Sequence, residues 1–146
     1  MNISGTVGTI LNQKGRQVYS ILPDATVFEA IQLMAEKNVG ALLVVSEHRL
    51  LGVISERDYT RKVALKGKSS RETKVLEIIS SPIVSATPGH SVEECMRLMT
   101  NNRVRHLPIL EGEKLVGIVS IGDLVNWTIS AQDAAIEQLK SYITGL

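Results

Sequence analysis

The stretch Gly52-Val53-Ile54-Ser55-Glu56-Arg57-Asp58 returns 65 residues later as Gly117-Ile118-Val119-Ser120-Ile121-Gly122-Asp123. In each copy an apolar run of strand length ends on a serine, and an aspartate follows three residues on. Working outward, residues 18–63 lie on residues 83–128 without a gap. Ser20, Pro23, Val27, Glu29, Leu33, Met34, Val39, Leu42, Leu50, Gly52, Ser55 and Asp58 meet identical residues, 12 identities in 46 positions. The period exceeds that of common solenoid repeats and there are two copies, so a duplicated half-domain explains it better than an array.

Each copy reads strand, helix, strand, strand, helix. The first helix is announced by Thr26-x-x-Glu29 and by Ser91-x-x-Glu94, a capping box in which hydroxyl and carboxylate satisfy each other's backbone N–H. Val27, Ala30, Ile31 and Met34, then Val92, Cys95, Met96 and Met99, recur at helical spacing behind the caps. Asn38 and Asn102 are expected to end these helices, because Asn tolerates the left-handed conformation. Residues 41–45 and 50–55, then 106–110 and 115–120, are apolar runs split by polar turns, which predicts hairpins. Gly52 and Gly117 fall inside the second strands, where glycine usually marks a bulge or a close approach. The expected division is a first domain over 1–65 with its lead segment, a polar linker over 66–81, a second domain over 82–129 and a C-terminal helix over 130–146. Ile136, Leu139 and Ile143 lie on one face of that helix and are expected to cover the core or a second subunit.

Composition narrows the function. A net charge of +1 argues against a general nucleic-acid binder, for which a strongly basic balance is expected. Arg57, Arg61, Lys62, Lys66, Lys68, Arg71 and Lys74 do concentrate charge locally, read as a solvated helix end and linker or, alternatively, as a surface for phosphates or an acidic partner. No run approaches 18 apolar residues, so no membrane helix is expected. The single cysteine, Cys95, excludes an internal disulfide, reads as a small core residue and fits a reducing, cytoplasmic setting. At 146 residues the chain can bury roughly 70% of its unfolded surface, whereas a half of about 60 residues is marginal alone. The histidines and the cysteine show no metal-ligand spacing, and no nucleophile stands at a recognisable distance from a base. The expectation is a protein without catalytic activity or metal.

Ser-x-x-Asp allows two readings. It is a helix cap, or its carboxylate also faces a ligand. A carboxylate accepts from both hydroxyls of a ribose diol, and the neighbouring helix N-terminus favours an anion.

The duplication, the Gly-h-h-Ser-x-x-Asp junction (h, apolar) and the segment Val104-Arg105-His106-Leu107-Pro108 together resemble paired cystathionine-β-synthase (CBS) domains, the Bateman module, over residues 17–128. The resemblance implies an α+β fold, a tandem CBS-domain pair of two β-α-β-β-α units packed through their sheets with pseudo-twofold symmetry, and two clefts that take adenine nucleotides: AMP, ADP, ATP or NAD(H). Carried over, cleft one joins Val53, Ser55, Arg57 and Asp58 to Pro82, Ile83, Val84, Val104, Arg105 and His106. Asp58 would hold the ribose, Pro82, Ile83 and Val84 the adenine, and Arg105 with His106 the phosphate, Arg103 being a reserve cation. Arg105 and His106 are adjacent in an expected strand, so both reach one phosphate only if the strand begins irregularly. Cleft two joins Ile118, Ser120 and Asp123 to Val18, Tyr19, Val39, Gly40 and Ala41. Gly40 and Ala41 stand where cleft one has Arg105 and His106 and bring no charge, so the clefts are expected to differ. The implied role is a regulatory homodimer signalling energy or redox state to a partner protein, with no nucleic acid and no membrane. The rival is a ligand-free interaction adaptor.

Overall fold

The computed structural model describes residues 5–79 and 83–144, leaving out the side chains of Tyr142 and Thr144. The chain forms two compact units: Gln17–Val84 with Glu113–Leu115, and Met1–Arg16 with Ser85–Gly112 and Val116–Leu146. The repeat is therefore visible as two bodies of like build.

In the first-repeat unit, β1 (Ser20–Ile21) runs parallel to β2 (Ala41–Ser46), which pairs antiparallel with β3 (Arg49–Ser55). Helix α2 (Val27–Lys37) covers the sheet, burying Val27, Ala30 and Met34 against Leu42, Val44 and Ile54. Thr26 caps α2 by accepting from Glu29 N at 3.1 Å, the hydroxyl half of the expected box, and Asn38 ends the helix at φ 55° as the pattern predicts. The β2–β3 turn sets Glu47 and His48 at φ 51° and 64°, the left-handed pair that matches strand twist in a two-residue hairpin. A single turn of helix, α3 (Glu56–Tyr59), follows β3 and runs into a π-helical turn at Thr60–Ala64.

The second-repeat unit holds α1 (Val7–Lys14), α4 (Val92–Asn102), β4 (His106–Glu111) with its hairpin partner β5 (Lys114–Ser120) from Val116 onward, and α5 (Ile121–Thr144). Its core is aliphatic: Val7, Leu11, Val92, Cys95, Leu107, Ile109, Val119 and Leu124 are fully buried. Ser91 and Glu94 form the complete capping box. The copies differ where single residues differ. Leu43 N donates to Tyr19 O in the first unit. Its counterpart is Pro108, which has no N–H to give. The second copy's first strand shrinks accordingly to one bridge, Ala86 with Ile109. Helix α4 ends one residue later than expected, on Arg103 at φ 54° rather than on Asn102. Arg103 aligns with Asn38 in the repeat, so the fold imposes the left-handed cap even on an arginine. Residues 130–144 are not a separate helix but the continuation of α5, 24 residues long.

The connecting segments trade places. Residues 73–79, assigned by sequence to a linker, belong to the first-repeat unit and bury Val75 and Ile78 in its core. The described lead residues, 5–14, assigned by sequence to the first domain, belong to the second-repeat unit. They do the same job there. Val75 N donates to Ala25 O, Leu76 N to Pro23 O, and Val27 N to Thr73 O; Val7 N donates to His90 O, Gly8 N to Pro88 O, and Val92 N to Gly5 O. The signal is Val75-x-x-Ile78-Ile79 beside Val7-x-x-Ile10-Leu11, offset by 68 rather than 65. Each segment closes its unit by laying its last apolar residue on the mid-strand glycine. A Cβ on Gly52 would stand 3.1 Å from Ile79 Cδ1, and one on Gly117 would stand 2.7 Å from Leu11 Cδ2.

Two outcomes follow from this packing. Leu11 has no exposure and its Cδ2 would stand 2.7 Å from the added Cβ, so Gly117→Ala should lower unfolding free energy by about 1–3 kcal/mol through overpacking. Gly52→Ala should cost less, because Ile79 is only partly buried; denaturant titration of both variants checks the order. Burial, with Glu94 a lesser contributor, raises the Cys95 thiol to about 11. Native protein at pH 8 should therefore resist a thiol-specific chromogenic reagent that reacts at once in denaturant, and rapid native labelling would contradict the burial.

Candidate functional site

Each Ser-x-x-Asp junction is a strand end turning directly into a helix. Glu56 N docks on Gly40 O at 3.0 Å and Ile121 N on Arg105 O at 2.8 Å, so both helices start from the residue just before the preceding hairpin. In the first unit Asp58 Oδ2 accepts from Ser55 N at 2.9 Å and from Ser55 Oγ at 3.0 Å, while Ser55 Oγ accepts from Asp58 N at 3.2 Å. In the second, Asp123 Oδ2 accepts from Ser120 N at 2.8 Å and Ser120 Oγ from Asp123 N at 3.1 Å. The capping reading is therefore correct for both copies. It does not close the carboxylates off: the Asp58 and Asp123 side chains remain 21% and 22% exposed.

Each carboxylate also has a lysine, and sequence reasoning missed this role for both. Lys62 Nζ lies 3.2 Å from Asp58 Oδ1 and donates to Ile78 O at 2.8 Å. Lys14 Nζ lies 2.6 Å from Asp123 Oδ2 and donates to Ile118 O at 2.9 Å. The first pair was legible as an i,i+4 couple on one helical stretch. The second spans 109 positions and required knowing that the lead segment packs on the second repeat.

The other assigned residues divide between the units. Val53, Ser55, Arg57 and Asp58 sit together at the end of β3 and the start of α3, all partly buried. Tyr19, Gly40 and Ala41 line β1 and the entry to β2 in the same unit. The Tyr19 ring is taken by Lys37, whose Nζ lies 5.5 Å from its centroid. Ile83 is exposed and Val84 partly buried; Pro82 lies outside the described residues. Val104, Arg105 and His106 lie in the second-repeat unit with Ile118, Ser120 and Asp123. Arg105 is exposed in a bend and β4 begins at His106, so the irregular start that would free both side chains from strict alternation is present.

The duplicated unit and its paired junctions define the class, and comparison with known proteins gives the family. The CBS domain profile matches residues 9–65 and 75–130. The chain is 36% identical over 151 residues to the mitochondrial CBS domain-containing protein CBSX3 of Arabidopsis thaliana, covering 97% of this chain and 73% of that one. It superposes with a TM-score of 0.83 and 47% identity on a CBS-domain protein from Burkholderia ambifaria, covering 86% and 95% of the two chains. This chain belongs to the CBS-domain family and carries the domain as a pair, a regulatory module. A likeness of fold, at TM-score 0.73 and 21% identity over 84% and 94% of the chains, links it to the CBS pair of MJ0100, solved with 5-methylthioadenosine and S-adenosyl-L-methionine. Among the described residues no helix is long and apolar enough to cross a membrane.

Proposed function

We propose that this CBS pair is a non-enzymatic sensor that binds an adenine nucleotide, AMP, ADP, ATP or NAD(H), and signals energy or redox state to a partner protein. The observation that carries the reading is the twice-built junction, in which a capping aspartate keeps part of its side chain exposed beside a helix start. The adenosine-containing ligands of the MJ0100 CBS pair support the ligand class at the level of the fold. In this reading Asp58 accepts from the ribose hydroxyls, with Val53, Ser55 and Arg57 beside it. Ile83 and Val84, of the same unit, meet the base. A nucleotide then acts through its different affinity for two arrangements of the protein, the only way a ligand shifts such an equilibrium. Val125, Ile129, Ile136, Leu139 and Ile143, 44–80% exposed, step along α5 at intervals of three, four and seven. That is the spacing of a helix–helix seam, and it supports a homodimer.

The rival, a ligand-free adaptor, is favoured by the fact that both Ser-x-x-Asp pairs are complete caps with lysine partners. Calorimetric titration with AMP, ATP and NAD⁺ separates the two. Asp58→Asn keeps an oxygen for the Ser55 N–H but loses the charge. It should weaken nucleotide binding tenfold to a hundredfold, since a hydrogen bond to a charged group contributes about 1.5–3 kcal/mol. Binding unchanged by Asp58→Asn would remove the ribose assignment, and no binding of any of the three would leave the adaptor. For assembly, paired Ile136→Glu and Leu139→Glu substitutions should turn a sedimenting dimer into a monomer; a dimer unaffected by them does not use α5.

A further inference from the structure

The absence of charge at Gly40 and Ala41 makes the second repeat's site look like the poorer one for a phosphate. The structure supplies a cation from elsewhere. Helix α1 runs beside α5, and an open groove of about 220 Å³ lies between them, lined by Gln13, Lys14, Asp123, Asn126, Trp127 and Ser130 along with Ile10. Whole-ligand pockets measure roughly 300–1,000 Å³, so this groove holds one end of a ligand. Asp123 is its single acidic lining group, and that carboxylate is already answered by Lys14 at 2.6 Å and by Ser120 N at 2.8 Å. An ammonium has three donors. Lys14 gives one to Asp123 and one to Ile118 O, and with its side chain 35% exposed the third is left for the groove. The Gln13 and Asn126 amides and the Ser130 hydroxyl add neutral donors. The lining as a whole offers hydrogens to an anion.

The cation is also fixed in place. Backbone bonds from Val7 to His90 and from Gly8 to Pro88 anchor α1, and Val7, Ile10 and Leu11 are buried beneath it. The helix is a wall of the unit rather than a latch that swings away.

We propose that Lys14, delivered by α1, is the phosphate-binding cation of the second repeat's Ser-x-x-Asp site, and that the α1–α5 groove receives the phosphate of a nucleotide whose ribose faces Asp123. This deepens the nucleotide reading above and rests on it for the ribose; the anion site stands on the groove itself. The consequence is that the second site selects phosphorylated ligands over free nucleosides, even though the second repeat's partner positions are neutral.

Trp127 is the one tryptophan of the chain. The lead backbone lies against its ring, where a Cβ on Gly5 would stand 2.7 Å from Cζ2, so its emission reports the groove directly. AMP, adenosine and inorganic pyrophosphate are titrated against the full chain with excitation at the red edge of the indole band, and calorimetry is run in parallel. AMP and pyrophosphate should give saturable, salt-sensitive changes. Lys14→Met should raise their midpoints at least tenfold, Lys14→Arg should return them to within a few-fold of wild type, and adenosine should be indifferent to both substitutions. A Trp127 response to AMP with the same midpoint in Lys14→Met, or a silent Trp127 while calorimetry records binding that Asp58→Asn weakens, overturns this inference and leaves the nucleotide sensor intact. A Lys14-dependent response to pyrophosphate with no nucleotide heat keeps the anion site and removes the sensor.

Discussion

Leu11 against Gly117, and Ile79 against Gly52, is the contact on which the rest of this structure depends. A strand-interior glycine is a weak choice for a sheet, since it gives up side-chain packing and costs backbone entropy. It is retained here because it leaves a slot that a large apolar side chain from outside the repeat fills. Val7, Ile10 and Leu11 on one side, and Val75, Ile78 and Ile79 on the other, close the open face of each unit. Fully burying side chains such as Val7, Leu11 and Val75 contributes about 1.5–3 kcal/mol each, a large share of the 5–15 kcal/mol by which a domain is stable. The segments that look like connections are therefore parts of the core, and each is taken from sequence flanking the other repeat.

The same contact places the site. Closing the second unit with α1 puts Lys14 at the last turn of that helix, where it meets Asp123 and Ile118 O. Closing the first unit with residues 73–79 brings Ile78 O to Lys62, which also pairs with Asp58. Both carboxylates thus carry two jobs. They hold the backbone of a helix start, and they present a charge-compensated edge to solvent. Capping leaves acceptor capacity, because a carboxylate has about four lone-pair sites and the cap takes its bonds mainly on one oxygen.

Duplication supplies like units, and single substitutions then make them unlike. Pro108 removes the donor that Leu43 gives, and the second copy loses most of its first strand. Arg103 takes a left-handed position that Asn38 fills at less cost. Arg105 and His106 replace Gly40 and Ala41, so charge arrives on the β-entry of the second copy only, and that same unit also gains Lys14 through α1. The two carboxylate sites are consequently related in backbone and different in chemistry.

The sequence by itself determined the repeat, its α+β element order, the caps at Thr26, Ser55, Ser91 and Ser120, the turn positions and the buried register of Cys95. These are local: a cap, a turn or an apolar stripe is set by residues three or four apart. It also carried enough motif to indicate the family. Only the tertiary structure decided which lead closes which unit, what fills the space over Gly52 and Gly117, and that Lys14 stands at Asp123. Those contacts join residues tens to more than a hundred positions apart. Their sequence trace is two short apolar motifs at an offset of 68, out of step with the main repeat by three residues. Periodicity records which face of an element is apolar; the element that comes to cover that face is chosen by packing, and packing has no local signature.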